Sequence, residues 1–300
     1  MSRRRSRTRP SAALVAALFL LVGGCGGAQD DDVTFSGPKT PSPDFDMGYE
    51  GRSLEGWVSL LGAKDAADRY AALVALAEFP EAAAHLPGIE ARLGDEAPSV
   101  RWAALECLGR TGAAAAPTSA AVVARIADPD RGVRRAAARA AGRIGSAAAP
   151  ALLVRWAQSE DEPRALAKSA LLAIGAGLES ETAAIGVRLR GDDPTLAEDA
   201  ADLLAAAGVP GARVLADALA DERSLTVVTA ASALRRMGAA GADAVPALER
   251  AAAARRGAVR EAALDALLGL GDAGKAVLER LSASSDANLS AAAKDRLAPR

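Results

Sequence analysis

Residues 100–112 read VRWAALECLGRTG, residues 133–145 read VRRAAARAAGRIG and residues 259–271 read VREAALDALLGLG. Taking the first residue of each string as position 0, small or apolar side chains fall at positions 0, 3, 4, 7 and 8, and Gly stands at position 12. That is one stripe of a 3.6-residue helix followed by a stop signal. Weaker copies begin at Asp68, Leu166, Leu196, Thr226 and Leu289, so position 0 recurs after 32, 33, 33, 30, 30, 33 and 30 residues. A fixed period of this size is the mark of a repeat array. Asp68 and Thr226 are polar at a place the other copies keep apolar.

Upstream of each string lies a shorter amphipathic stretch, for example 120–127, 151–157, 212–220, 245–254 and 275–281. Between the two stretches, Asp95, Asp128, Asp161 and Asp221 stand five residues before position 0, and Pro98, Pro129 and Pro163 follow three of them. This reads as a turn opening a second helix. Each unit is therefore helix, turn, helix. A pair this short cannot bury its stripe alone and must stack on its neighbours.

The strings D-x-x-x-x-V-R-x-A-A at 95–104 and 128–137, each followed by the closing Gly, resemble the HEAT-repeat family, in particular the short HEAT-like repeats first named from phycobilin lyases. The resemblance covers roughly residues 53–300 and implies an all-α fold, a right-handed α-solenoid of about eight helix-turn-helix repeats. It also implies two enzyme analogies. Deoxyhypusine hydroxylase, a relative of this kind, holds two irons on His-Glu pairs, whereas this chain has His85 alone. The phycobilin lyases act on cytoplasmic pigment proteins, and no aromatic pocket for a tetrapyrrole is visible.

Half of the 300 residues are hydrophobic but only 3% are aromatic, as short stacked helices of Ala and Leu require. One His and two Cys leave little material for metal clusters or disulfides. No phosphate-binding loop, nucleophile elbow or HExxH helix occurs. The sequence thus points to no catalytic, cofactor-binding or metal-ligating residue. Cys107 reads as a small buried hydrophobe.

The net charge of −2 averages two unlike parts. Residues 1–24 hold five Arg and no acid, so 31 basic residues face 38 acidic ones in the rest. An acidic body argues against nucleic acid as a partner. Basic residues 3–9, the apolar run AALVAALFLLV at 12–22 and then Gly23-Gly24-Cys25 form a three-part export signal, with a run about half as long as a membrane span needs. Val22-Gly23-Gly24-Cys25 resembles the lipobox of bacterial lipoproteins. That resemblance implies cleavage after Gly24, lipidation of Cys25 and, with Gly at 26 rather than Asp, delivery to the outer membrane. Residues 25–52, rich in Gly, Pro, Ser and Asp, then form a tether, and 53–300 the solenoid.

In the second helix of each unit, positions 1, 2, 6, 9 and 10 are expected to point away from the apolar stripe and to line up along one face. Arg101, Trp102, Arg131, Arg134, Arg135, Arg139 and Arg143 make that face basic early in the array, while Glu198, Asp202, Glu261, Asp265 and Asp295 make it acidic later. Arg beside Trp is a favoured interface composition. The expected partner is an envelope protein or an anionic envelope component, with the membrane reached through the N-terminal lipid. Solubility alone would also account for outward charges. The alternative reading is an accessory or enzymatic subunit, lyase-like or oxidoreductase-like, whose active centre needs a partner.

Overall fold

The structure is a computed structural model and describes residues 52–298. The expected leader, Cys25 and the tether up to residue 51 lie outside the described residues. Every regular element described is helical. Sixteen α-helices follow one another as eight pairs: α1 (Leu54–Leu60) with α2 (Ala66–Leu76), α3 (Leu86–Ala91) with α4 (Pro98–Thr111), α5 (Ser119–Ala124) with α6 (Arg131–Ile144), and α7 (Ala149–Gln158) with α8 (Asp161–Ile174). The array continues with α9 (Thr182–Leu189) and α10 (Pro194–Ala206), α11 (Val209–Ala218) and α12 (Ser224–Met237), α13 (Val245–Ala254) and α14 (Ala258–Gly269), and α15 (Asp272–Ser282) and α16 (Ala287–Leu297). The pairs stack as a right-handed α-solenoid in which each second helix packs on the second helix of the next repeat.

Burial follows the predicted stripe. Val100, Ala103, Ala104, Cys107 and Leu108 are all sealed in the core, and Thr226 is buried in spite of its hydroxyl. Position 5 is buried as well, because the following repeat covers it: Leu73, Leu105, Ala138, Ala201, Ala231 and Leu264 are each hidden there, and only the fourth repeat, with Lys168, departs among those followed by another. In α16 the same position is the exposed Lys294, which suits a helix with no repeat stacked beyond it among the described residues.

The step between repeats has a physical cause. Steps of 33 residues from Val100 and Thr226 carry a seven-residue 3-10 turn between the pairs, at Gly112–Thr118 and Gly238–Ala244. After α10 and α14 that turn is absent and the chain enters the next helix through two residues. The turn after α6, Gly145–Ala148, has four residues where those after α4, α8 and α12 have seven. So α8, 14 residues long like α4 and α6, begins three residues earlier than the sequence period places it: its position 0 is Pro163, not Leu166, and Gly175 closes it. Three residues make one 3-10 turn, so losing them leaves the stacking phase intact.

Two local expectations change. The closing glycines do have positive φ, but at Gly112, Gly145, Gly208, Gly238 and Gly271 ψ runs from −134° to −145°, not the roughly +47° of a left-handed helical cap. The chain leaves the helix extended, in a region nearly closed to other residues. The aspartates before the second helices also divide their roles. Asp95, Asp128 and Asp221 accept the backbone N–H two residues ahead, at 3.1, 3.0 and 2.9 Å, which folds the turn without capping the helix. Capping bonds come from residues such as Asp65, Asp130, Asp193 and Asp286. Asp161 is the first residue of α8 and sits at φ 50°.

The stretch Asp161–Leu189, whose most apolar 18 residues have a mean hydropathy of 1.3, is composed of α8, a 3-10 turn and α9, interrupted at the positive-φ Gly175.

Candidate functional site on the second-helix surface

The surface is built on a ladder inside the stack. Position 1 of the second helix is buried, not outward as the helical pattern suggests: Arg101 and Arg260 are 9% and 6% exposed. Arg101 donates from Nε and Nη2 to Asp128 at 2.9 and 2.7 Å, and from Nη1 to the carbonyls of Asp95 and Glu96 in its own turn. One guanidinium thereby closes its own repeat and clamps the next. Arg69 does the same to Asp95, with two 2.7 Å bonds and donation to the Ala63 and Lys64 carbonyls. Arg134 reaches Glu162, not Asp161, while holding the Asp128 and Pro129 carbonyls, and Arg260 reaches Asp286 at 2.9 Å. In the fourth repeat Arg164 stands at this place, donating from Nε to the Ser159 carbonyl at 2.7 Å and coming to 3.7 Å from Asp193; Ala197 and Val227 occupy it in the fifth and sixth repeats, and the ladder breaks there.

The electrostatics follow the geometry. Burial by itself would raise the Asp95 pKa, but the paired bonds from Arg69 and the Ala97 N–H outweigh it and hold the carboxyl below its ordinary range. Arg134 and then Arg131 do the same for Glu162. Cys107 has no such help. Burial pushes its thiol up to about 12, which leaves it protonated and unreactive.

Of the residues expected to form a basic binding face, Arg101 and Arg134 thus turn into the stack. Arg101 is consumed there and Arg134 is largely covered. Arg139 and Arg143 are on the surface but share Glu106 of the preceding repeat. Arg131 is exposed and lies 3.4 Å from Glu162. Trp102 is half-buried against the core. Arg135 is exposed and has no hydrogen bond or ion pair among the described residues. Arg135 and Trp102 share position 2 with Tyr70, so three successive repeats present Tyr, Trp and Arg in one row.

Further along, the acidic half of the surface is bridged rather than bare. Lys168 binds Asp199 and Asp202 at 2.6 and 2.8 Å, Arg236 binds Asp202 at 2.6 Å, and Arg296 binds Asp265 at 3.0 Å and Glu261. Pairing along the axis was missed in the sequence because it joins positions about 31 to 35 residues apart, one repeat away.

Depressions are open and poor in chemistry. A groove of about 420 Å³ between α3 and α5 is lined by Pro87, Ala91, Ala121 and Ala124 with Glu90 and Arg125 among its polar groups. A smaller one of about 300 Å³ lies between α12 and α14, with Arg235 across from Glu261 and Asp265. Among the described residues no group of three or more His, Cys, Asp or Glu side chains could hold a metal ion.

A right-handed solenoid of helix pairs with a surface of aligned charges defines the class of this protein. Residues 54–126 match the sequence family described as HEAT repeats. No curated protein matches the chain. Among solved structures it is similar to the complex of CpcE and CpcF of phycocyanin lyase from Nostoc sp. PCC7120, at 22% identity and a TM-score of 0.38, covering 86% of this chain and 97% of that one. It is also similar to the archaeal HEAT-like repeats protein from Thermococcus onnurineus NA1, at 19% identity and a TM-score of 0.42, covering 75% and 87%. Importin beta aligns at 14% identity with a TM-score of 0.46, over 81% of this chain and 40% of that one. Similarity this low carries neither residues nor activities across.

Proposed function

We propose that the chain is a lipid-anchored, non-enzymatic HEAT-repeat scaffold that holds a protein partner at a bacterial cell envelope through its second-helix surface. An acylated Cys25 would supply the anchor, and residues 26–52 would give the solenoid reach from the membrane. The partner would meet the row Tyr70, Trp102 and Arg135, flanked by Arg131, Arg139 and Arg143. The observation that carries this reading is Arg135, a solvent-exposed guanidinium without a partner among the described residues, in one row with the half-buried Trp102 of the preceding repeat on a surface where Arg139 and Arg143 are paired. Arg and Trp together supply charge-assisted bonds and desolvated area, the usual composition of an interface hot spot.

A photo-crosslinking residue placed at Trp102 in intact membranes tests the surface, with Val187 on a first helix as the control position. A single adduct from position 102, lost in Arg135→Glu, is the expected result. Equal adducts from both positions, or indifference to Arg135→Glu, would remove the basis for the site. The anchor is tested separately by Cys25→Ser, which should move the chain from the membrane to the soluble fraction; retention in the membrane would refute it.

A further inference from the structure

The fourth repeat departs from its neighbours in three ways. Its second helix opens on Asp161 at φ 50°, the one non-glycine residue at positive φ among the described residues. Its clamp is loose: Arg164 donates to the Ser159 carbonyl of its own turn at 2.7 Å but comes only to 3.7 Å from Asp193 of the next repeat. Finally, α8 and α10 touch over less of their length than any other neighbouring second helices except the terminal α14 and α16.

A small polar cluster bridges this joint instead. The Lys168 ammonium lies between Asp199 Oδ1 at 2.6 Å and Asp202 Oδ2 at 2.8 Å. The indole N–H of the buried Trp156 donates to Asp199 Oδ2 at 3.1 Å, which fixes that carboxylate. The Lys168 side chain is 24% exposed, against 10% for Arg101 in its clamp.

We propose that the joint between the fourth and fifth repeats is an ionic hinge, latched by Lys168 between Asp199 and Asp202, about which the first four repeats swing relative to the last four. A guanidinium bound through two parallel bonds fixes orientation as well as distance, whereas an ammonium is a point charge with rotatable donors. The Lys168 latch therefore holds the two helices close without fixing the angle between them. Being open to solvent, it is also weakened by salt, while the buried Arg101 pair is not. The hinge lies between the basic early part of the second-helix surface and its acidic later part. Its angle sets how far apart a bound partner finds them.

Spin labels on Cys introduced at Ala124 of α5 and Asp217 of α11 span the joint, and labels at Ala91 and Ala124 lie wholly on one side. Cys25→Ser in the full chain leaves buried Cys107 as the only native thiol. Raising salt from about 0.1 to about 1 M shortens the screening length roughly threefold, and the 124/217 distance distribution is expected to widen about twofold while the 91/124 distribution stays fixed. Lys168→Met should show the widened distribution already at low salt, and Lys168→Arg should keep it narrow. If the 124/217 distribution is as narrow as the control and indifferent to salt, the hinge does not exist, and the wild-type series decides this even if Lys168→Met fails to fold. Widening by salt with no effect of Lys168→Met would overturn the assigned latch.

Discussion

A guanidinium removed from water is held in place only while its acid remains. The Asp128 side chain is 1% exposed and meets Arg101 through two bonds. Arg101→Ala would strand that carboxylate, and a cost of about 3–5 kcal/mol in chemical denaturation is expected, whereas Arg135→Ala should change stability by less than about 0.5 kcal/mol. Similar losses for both would mean that Arg101 is no clamp. The Asp95 carboxyl adds a pH signature. Its folded pKa lies below its ordinary value, so the stabilisation is complete above roughly pH 4 and is lost as pH falls toward the depressed value. Arg69→Met should remove part of that acid-limb loss, seen as a shallower fall of the denaturation midpoint between about pH 4 and pH 2. These roles were half legible. The D-x-x-x-x-V-R string contained both partners, at a regular separation of 26 to 28 residues. A helical wheel, however, places position 1 outward, and the long Arg stem folds back to cover the joint.

Element boundaries obey a similar division. The second helices were plain in the sequence because Ala and Leu at fixed positions leave one stripe, and the turn before each was marked by Asp and Pro. The connections back to the next repeat were not, because 3-10 turns of Gly and Ala carry no period of their own. Two substitutions separate the reasons these connections need glycine. Gly145 has φ 85° and open space within 4 Å of the point where a Cβ would stand, so Gly145→Ala should cost about 1–3 kcal/mol through backbone strain alone. Gly211 has ordinary φ, but a Cβ there would fall 1.8 Å from the Leu204 carbonyl oxygen, because α10 enters α11 with no 3-10 turn to space them. Gly211→Ala should therefore push α11 off α10 at a similar cost of about 1–3 kcal/mol. Crystallography or amide shifts would distinguish them: the first change stays local and the second moves the helix.

At the scale of the whole molecule, a repeat array has no single core, and its stability is a sum of repeat and joint terms. Those terms are unevenly placed. Trp57, Tyr70, Phe79, Trp102 and Trp156 all pack in the first four repeats, which also hold three successive Arg-to-acid clamps. The exposed large apolar side chains, Val154, Leu172, Val187, Val209, Leu225 and Leu268, begin in the fourth repeat and continue beyond it. Each is area that the stack fails to bury, at roughly 25 cal/mol per Å². The clamps locate the change at the fourth repeat, with a partial return of stiffness at Arg260 and Asp286. Native-state hydrogen exchange should show amides of α4 and α6 protected roughly tenfold more than those of α9 and α11, with α14 between them. A uniform profile would mean that opening is global, and the joint terms would then be too strong for the array to yield at its unclamped repeats.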